Sequence, residues 1–427
     1  MELRADWEFR GLVHQATDPL VLERLSAGGV TAYIGFDPTA SSLHLGHLLQ
    51  ICNLRRLQLA GNRPIALAGG GTGLIGDPSF KDSERPLLTR EQIDENLEGI
   101  RAQLARFLDF SPAAGSTQAL LLNNADWLTT IPLTDFLRDV GKHFTVNQMI
   151  AKEAVKSRLE REDVGLSFTE FSYTLLQAYD FLRLHLDHDC TLQLGGSDQW
   201  GNITFGTELV RKAAGRSAAG LTSPLLLRPD GRKFGKSDGG NERVWLDAER
   251  TSPFALYQFL VNVDDVMVPT LLRFYTFLEH EEILELDQRT LESPQERAGQ
   301  RALARAVVEL VHGADALAGA ERASEALFAP SIRDLDEALL LQVTADAPSS
   351  DISLEELRDG LDPVDLLVRC ELAGSRGEAR RFVEQGGCYV NNERVGSEDR
   401  VGLGDVLHGR YLLVRRGRRD LHLVVVR

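Results

Sequence analysis

The residues best suited to phosphate chemistry fall into two short motifs. HLGH places His44 and His47 three positions apart, so both imidazoles lie on one face of a helix that begins there. KFGKS places Lys233 and Lys236 in a glycine-containing loop that could close on a triphosphate and neutralise its leaving group. Each motif has an ordinary alternative, since histidines at a helix start often only cap it and basic loops are often only solvated. From their residues alone, both motifs are candidates for phosphate binding.

A third set of polar residues has the spacing of one helix face. Tyr173, Gln177 and Asp180 stand at positions i, i+4 and i+7, which the helical period brings to the same side. The spacing is typical of a binding face, but also of an amphipathic helix with a solvated polar stripe. Apolar residues occupy the opposite side: Phe171, Leu175, Ala178 and Leu182.

Two further patterns carry little weight. GxGxxG at residues 71–76 matches a dinucleotide fingerprint, but Pro78 follows too closely for a helix already under way. His185, His188 and Cys190 lie close together without the spacing of a metal site. We therefore expect neither a nicotinamide cofactor nor a bound metal.

Strands and helices alternate through the first 230 residues and would position these side chains. Strand-like runs occur at 31–36, 64–68 and 191–194, and helical patterns at 45–60 and 89–110. Such alternation predicts βαβ units and a parallel sheet, with ligands bound beyond the carboxyl ends of the strands. The HLGH motif follows the first of these strands, as that rule requires.

The rest of the chain lacks this alternation of strands and helices. Residues 251–325 look mainly helical, and 344–352 read as a linker. A small α+β unit follows, with helices near 363–372 and 375–385 and a last strand at 421–426.

Composition indicates a globular protein without membrane spans. The net charge is −16, hydrophobic residues make up 43%, and no apolar run is long enough to cross a bilayer. The N-terminus has no signal-peptide pattern, and the four cysteines form no CxxC pair, so we expect a cytoplasmic location. The negative net charge disfavours polyanion partners in general, but arginines cluster locally near the C-terminus.

These motifs resemble the bacterial tyrosyl-tRNA synthetases, a branch of the class I aminoacyl-tRNA synthetases. HLGH and KFGKS match the two ATP-binding motifs of that class in order and spacing. The similarity covers nearly the whole chain and includes residues 33–39, 73–78, 172–180 and 195–202. It implies an α/β fold with a Rossmann-like parallel-sheet catalytic domain, a helical domain and a small α+β C-terminal RNA-binding domain.

The resemblance also implies an activity, which is ATP-dependent ligation of L-tyrosine to tRNA(Tyr) through tyrosyl-adenylate. ATP would enter as its Mg²⁺ complex, with no tightly bound cofactor. The implied catalytic residues are His44, His47, Lys81, Arg85, Lys233 and Lys236. Those implied to bind tyrosine are Tyr33 and Asp180 at the phenol, Tyr173, Gln177 and Asp77 at the α-amino group, and Gln199 near the carboxylate. Those implied to bind ATP are Asp37, His44, Gly46, His47, Asp198, Lys233 and Lys236.

By the same resemblance, residues 1–230 form the catalytic domain, with a homodimer-interface insertion at about 110–170. Residues 231–343 carry the KFGKS loop and a helical anticodon-side domain, and 353–427 follow the linker as a ribosomal-protein-like RNA-binding domain. No membrane partner is expected. The residues expected to contact RNA are Arg376, Arg380, Arg381, Arg415, Arg416, Arg418 and Arg419.

Overall fold

The computed structural model describes residues 2–76, 88–152, 155–156, 166–231, 234–235, 243–327, 329, 331–333, 335–345, 347–417 and 420–427. The chain divides into two compact units, Met1–Arg250 with Val263–Val311, and Thr251–Asn262 with His312–Arg427. Within the described part of the chain, no helix is long and apolar enough to cross a membrane.

A six-stranded sheet organises the first unit. Its strands lie in the order β1-β6-β5-β2-β3-β4, with β1 antiparallel to β6 and the other pairs parallel. Strands β3 and β5 are buried along nearly their whole length because helices cover both faces, as is usual for parallel sheets. The predicted parallel sheet is confirmed. The strands are β1 (Gln15–Ala16), β2 (Thr31–Phe36), β3 (Arg63–Ala68), β4 (Leu120–Asn123), β5 (Cys190–Gly196) and β6 (Ala219–Ser223).

The helices of the described residues are, in chain order, α1 (Leu3–Arg10), α2 (Val21–Ala27), α3 (Leu45–Leu59), α4 (Arg90–Leu104), α5 (Ala125–Leu128), α6 (Leu133–Asp139), α7 (Val146–Ile150), α8 (Phe168–His188), α9 (Trp200–Ala214), α10 (Pro253–Val261), α11 (Val268–Tyr275), α12 (His280–Glu292), α13 (Ala298–His312), α14 (Ala314–Leu327), α15 (Glu337–Val343), α16 (Leu354–Arg358), α17 (Pro363–Arg369) and α18 (Arg376–Glu384). The helical character expected for 251–325 is therefore observed.

Helix α4 is shorter than its sequence pattern predicts, because a tertiary contact determines where the chain leaves the helix. It starts at a capping box in which the Thr89 side chain accepts from the Gln92 backbone, but it ends at Leu104 rather than at residue 110. The chain then turns, because Gln58 binds the backbone of Asp109 from the side. The contact with Gln58 lies far away in sequence, so the helical pattern could not reveal it.

The second unit contains a five-stranded sheet in the order β7-β11-β10-β8-β9. Strand β7 pairs parallel with β11, and the other pairs are antiparallel. Helices α17 and α18 contribute Leu367 and Ala379 to a buried core shared with the sheet. Strand β7 lies inside the segment expected to be a linker, which is therefore partly a sheet edge. The strands are β7 (Ser349–Ile352), β8 (Cys388–Val390), β9 (Glu393–Arg394), β10 (Tyr411–Arg416) and β11 (Asp420–Val426).

Candidate active site

A cavity of about 750 Å³ opens beyond the carboxyl ends of β2 and β5. In the sheet, β2 lies between β3, which is the next strand along the chain, and β5, which comes much later in the chain. In open parallel sheets such a switch in strand order leaves a crevice where ligands bind. Ten residues predicted from sequence line this one cavity: Tyr33, Asp37, His44, Gly46, His47, Tyr173, Gln177, Asp180, Asp198 and Gln199.

The deep end of the cavity holds two buried polar groups from β2 and α8. Tyr33 is 1% exposed and Asp180 is 2% exposed. Among the described residues, the Tyr33 hydroxyl has no hydrogen-bond partner. A buried hydroxyl without a partner is costly, so this end of the cavity is suited to a ligand that supplies one.

The Asp180 carboxylate is held by two donors. Asn124 Nδ2 donates to Oδ2 at 2.9 Å, and Trp127 Nε1 donates to Oδ1 at 2.7 Å. Burial raises the pKa of Asp180 to about 7; both hydrogen bonds oppose this shift, and the charge of Asp37 adds to it. Burial, and then the charge of Asp180, likewise raises the pKa of Tyr33 well above its ordinary value.

Sequence analysis missed Asn124 and Trp127. Asn124 follows β4 directly, and its Oδ1 accepts from the Gly71 backbone at 2.7 Å while its Nδ2 also donates to Thr72 Oγ1 at 3.0 Å. One asparagine therefore fixes both the loop after β3 and the carboxylate on α8. Its place at the carboxyl end of a parallel strand is the signal that could have identified it.

The middle of the cavity is rich in side-chain hydrogen bonds. Tyr173 donates its hydroxyl hydrogen to Asp37 Oδ2 at 3.4 Å, and Thr72 donates to Asp37 Oδ1 at 3.2 Å. Gln177 Nε2 donates to Gln199 Oε1 at 3.2 Å. Helix α8 thus directs Tyr173, Gln177 and Asp180 into the same cavity, so the polar face lines a pocket and is not a solvated stripe.

The HLGH histidines cap helix α3 and also line the cavity. His44 Nδ1 accepts from the Gly46 backbone at 3.1 Å, and His47 Nδ1 accepts from the His44 backbone at 3.2 Å. The rings stack with centroids 3.9 Å apart. Because each Nδ1 acts as an acceptor, each neutral ring carries its proton on Nε2. Both imidazoles are thereby prepared as Nε2–H donors, the form suited to a phosphate oxygen.

The central part of KFGKS lies against HLGH. Phe234 is buried and its backbone N–H bonds to Leu226 O at 3.0 Å. Gly235 has φ +91°, and a Cβ there would lie 3.3 Å from both Gly46 N and Leu45 Cβ. Glycine therefore allows the close approach of the two motifs. The other expected site residues of the loops lie outside the described residues: Asp77, Lys81, Arg85, Lys233 and Lys236.

Arg243 also lines the cavity and was not predicted from sequence. It belongs to a segment paired with the start of α3, where Leu45 N bonds to Val244 O at 2.8 Å and Leu246 N bonds to Leu43 O at 2.9 Å. This pairing fixes a third basic side chain near the histidines.

The arginines expected to contact RNA divide into two groups. Arg376, Arg380 and Arg381 are exposed on α18, although Arg376 also pairs with Asp365 at 2.9 Å. Arg415 requires a correction, because it is buried and its Nη1 donates to Leu327 O at 3.0 Å.

Neighbouring residues of β10 face opposite sides of the sheet, and both sides of this strand are buried as far as Arg415. Arg415 points inward, where Asn392 Oδ1 also accepts from its guanidinium at 2.9 Å. Arg416 faces the other side and pairs with Glu378 and Asp420. Arg418 and Arg419 lie outside the described residues.

Comparison with known proteins identifies the family. The sequence model described as tRNA synthetases class I (W and Y) matches residues 26–329, and that of the tyrosine–tRNA ligase SYY-like C-terminal domain matches 340–424. The tyrosine–tRNA ligase of Roseiflexus castenholzii is 53% identical over 422 residues, covering 97% of each chain. That of Opitutus terrae is 49% identical and covers all of both chains.

A solved structure gives the same result. The chain is similar to a C-terminally truncated mitochondrial tyrosyl-tRNA synthetase of Aspergillus nidulans, with a TM-score of 0.68 and 32% identity over 77% of this chain and 94% of that one. The resemblance seen in the motifs is confirmed, and the chain belongs to the tyrosine–tRNA ligase family of class I tRNA synthetases.

Proposed function

We propose that the cavity beside α3 and α8 is where this chain carries out the reaction of its family. Tyrosine–tRNA ligases join L-tyrosine to tRNA(Tyr) in two steps. ATP and tyrosine first give tyrosyl-adenylate and pyrophosphate, and the tyrosyl group then passes to the tRNA with release of AMP. The observation that carries the assignment is the buried hydroxyl of Tyr33, which lies beside the Asp180 carboxylate and has no hydrogen-bond partner in the described part of the chain.

The deep end of the cavity selects the side chain of the substrate. A phenol entering it would donate to the Asp180 carboxylate and accept from the Tyr33 hydroxyl, so both groups would gain a partner. A phenylalanine ring would leave the Tyr33 hydroxyl without a partner and would give Asp180 no further donor, and an unsatisfied buried polar group is costly. Selection against phenylalanine follows without a separate editing step.

The amino-acid end would be bound by Tyr173, Gln177 and Gln199, together with Asp77, for which the support is sequence resemblance alone. The carboxylate oxygen of tyrosine then attacks the α-phosphorus of ATP, and the bond to the pyrophosphate oxygen breaks. No enzyme nucleophile is needed, so catalysis depends on orientation and on charge stabilisation.

The His44 and His47 Nε2–H groups would stabilise the developing negative charge, and Asp37, Gly46 and Asp198 would bind the nucleotide. The contact between Gly235 and Gly46 supports the idea that KFGKS closes over this nucleotide. On resemblance alone, Lys233 and Lys236, with Lys81 and Arg85, would neutralise the pyrophosphate. ATP would carry Mg²⁺, because that ion binds to phosphate oxygens and needs few protein ligands.

The adenylate is then attacked by a ribose hydroxyl at the 3′ end of the tRNA. We propose that residues 353–427 contribute to tRNA binding, supported by the exposed arginines of α18, which lie about one turn apart. Residues 1–230 would carry the chemistry and 231–343 the KFGKS loop with the anticodon-side helices, the remaining linker ending where β7 begins. Arg415 is left out of this surface.

We also propose a homodimer formed through the segment at about 110–170. Large apolar side chains are exposed there, among them Leu133 at 72% and Phe168 at 78%. Exposed apolar residues grouped in one segment are typical of an interface. A cytoplasmic location agrees with the four unpaired, buried cysteines, since reducing compartments preserve thiols.

Amino-acid-dependent exchange of pyrophosphate into ATP tests the assignment directly. Tyrosine should support exchange, and phenylalanine and the other amino acids should not. Asp180→Asn should remove most of the preference for tyrosine over phenylalanine, and Lys236→Ala should slow exchange while leaving tyrosine binding nearly unchanged. A wild-type protein that exchanges no pyrophosphate with tyrosine would refute the proposal.

A further inference from the structure

A lysine outside the cavity stands at the head of a hydrogen-bond chain that reaches into it. Lys152 Nζ lies 2.9 Å from Asn202 Oδ1 and 2.5 Å from Thr174 Oγ1. Thr174 also donates to Asn202 Oδ1, at 2.8 Å. Asn202 Nδ2 then donates to Gln199 Oε1 at 3.2 Å, and Gln177 Nε2 donates to that same oxygen at 3.2 Å. The last two residues line the cavity.

The charge of the lysine determines the direction of every link. An ammonium group only donates, so the atom of Asn202 facing Lys152 has to be its oxygen. The NH₂ of Asn202 therefore faces Gln199 and requires an acceptor there, which is the Gln199 oxygen. The group of Gln177 that faces this oxygen then has to be its NH₂, because two amide oxygens cannot hydrogen-bond to each other. An amide alone could sit either way round, but this chain permits one orientation.

We infer that Lys152 is a positioning residue for the amino-acid end of the cavity, because through Asn202 it sets which end of the Gln199 and Gln177 amides faces a bound amino acid. The inference rests on the proposed function. Gln177 then directs its carbonyl oxygen, and Gln199 its NH₂ group, away from their mutual hydrogen bond. An α-ammonium needs such an acceptor and a carboxylate needs such a donor, so the opposite orientation would set like groups against each other.

Contacts besides the hydrogen bonds fix the position of the Lys152 side chain. Its Nζ lies 4.5 Å from the centre of the Phe205 ring, a cation–π distance. Its stem passes over Gly201, where a Cβ would lie 3.1 Å from Lys152 Cε. The residue is only partly exposed. Two contacts besides the hydrogen bonds therefore hold the ammonium group at Asn202.

Lys152→Met tests the inference with two ligands that differ by one ammonium group, tyramine and 4-ethylphenol. The variant keeps most of the stem but frees the amides to turn. Because a hydrogen bond to a charged group is lost, the dissociation constant of tyramine should rise about tenfold while that of 4-ethylphenol stays unchanged. If only direct charge repulsion mattered, removing the positive charge of Lys152 would make the cation tyramine bind more tightly, so the direction of the change separates the two explanations.

Asn202→Asp provides a second variant that is nearly isosteric. It keeps an acceptor for Lys152 but replaces the donor facing Gln199 by another acceptor, which should reverse both glutamine amides and weaken tyramine at least as much. Lys212→Met is the matched control. Lys212 is also partly buried, lies near the Phe144 ring, donates to His143 O at 2.6 Å and pairs with Glu208, and none of these three residues lines the cavity.

The inference is overturned if Lys152→Met binds tyramine as tightly as the wild type or more tightly, or if both ligands weaken alike. Equal weakening would indicate general loosening of the fold, which thermal unfolding of the three variants would show independently. A wild type that binds neither tyrosine nor tyramine would refute the proposed function, and the inference with it.

Discussion

Tyr33→Phe should have opposite effects on the empty protein and on its complex with tyrosine. The Tyr33 hydroxyl is buried and has no hydrogen-bond partner among the described residues. Its removal takes away an unsatisfied polar group from the empty protein and a ligand contact from the complex. The variant should therefore be more stable than the wild type and bind tyrosine more weakly.

The two magnitudes follow from the cost of burying a polar group and from the value of a hydrogen bond. An unsatisfied buried hydroxyl costs about 1–3 kcal/mol, so the free energy of unfolding should rise by that amount. For a unit of this size the unfolding midpoint should increase by about 2 °C for each kcal/mol. One neutral hydrogen bond contributes about 0.5–1.5 kcal/mol net, which corresponds to a tyrosine dissociation constant about 2- to 13-fold higher.

Thermal unfolding without ligand and calorimetric titration with tyrosine and phenylalanine measure both effects. Tyr275→Phe is the matched control, because this tyrosine is equally buried but donates its hydroxyl hydrogen to Leu45 O at 2.8 Å. The control should be destabilised by about 1 kcal/mol. The two buried tyrosines should thus change the unfolding midpoint in opposite directions.

A Tyr33→Phe protein that unfolds at a lower temperature than the wild type would refute the reasoning. It would mean that the hydroxyl has a partner in the empty state. Unchanged tyrosine binding, with stabilisation retained, would instead show that the phenol does not reach Tyr33.

Three further predictions concern the same cavity. Tyrosine affinity should be highest above pH 7 and fall as the pH drops below it, because in the proposed complex the ionised Asp180 accepts from the phenol, and its pKa in the empty protein is raised to about 7. Calorimetry from pH 6 to 8.5 measures this, and Asp180→Asn should abolish the dependence. Asn124→Ala should move the midpoint of that profile to higher pH, since it removes a hydrogen bond that lowers the pKa of Asp180; an unmoved midpoint would contradict this. Gly235→Ala should slow pyrophosphate exchange by about tenfold or more with tyrosine affinity unchanged, because φ at this position is +91° and the added Cβ would press on Gly46 N. A Gly235→Ala variant that exchanges pyrophosphate at the wild-type rate would rule this out.

Local spacing predicted the parts of the site that lie on one element. Tyr173, Gln177 and Asp180 share a helix, so their period alone brings them to one face, and α8 carries them into the cavity as expected. The partners of Asp180 could not be found in that way. Asn124 and Trp127 are more than 50 residues away in sequence, and only the packing of β4 and α5 brings them there.

Two failures in the second unit have different causes. Strand β7 contains Ser349, Ser350 and Asp351, which have little preference for strands, and it forms because β11 offers a sheet edge. Arg415 is buried by contacts far away in sequence, with Leu327 O and Asn392 Oδ1. Alternation along the strand says only that Arg415 and Arg416 face opposite sides of the sheet, so it could not reveal which of them is buried.

We propose that the two ends of the cavity recognise tyrosine by opposite means. At the phenol end, the Tyr33 hydroxyl has no partner among the described residues and a hydroxyl-bearing ring would supply one, so selectivity would be obtained at the expense of stability in the empty protein. At the amino-acid end, Gln177 and Gln199 are already bonded and oriented, so little reorganisation remains when any amino acid binds. Every amino acid presents the same ammonium and carboxylate, and a preformed end suits them all. Discrimination therefore has to reside at the phenol end, and substitutions at Lys152 should change affinity for tyrosine and phenylalanine by the same factor.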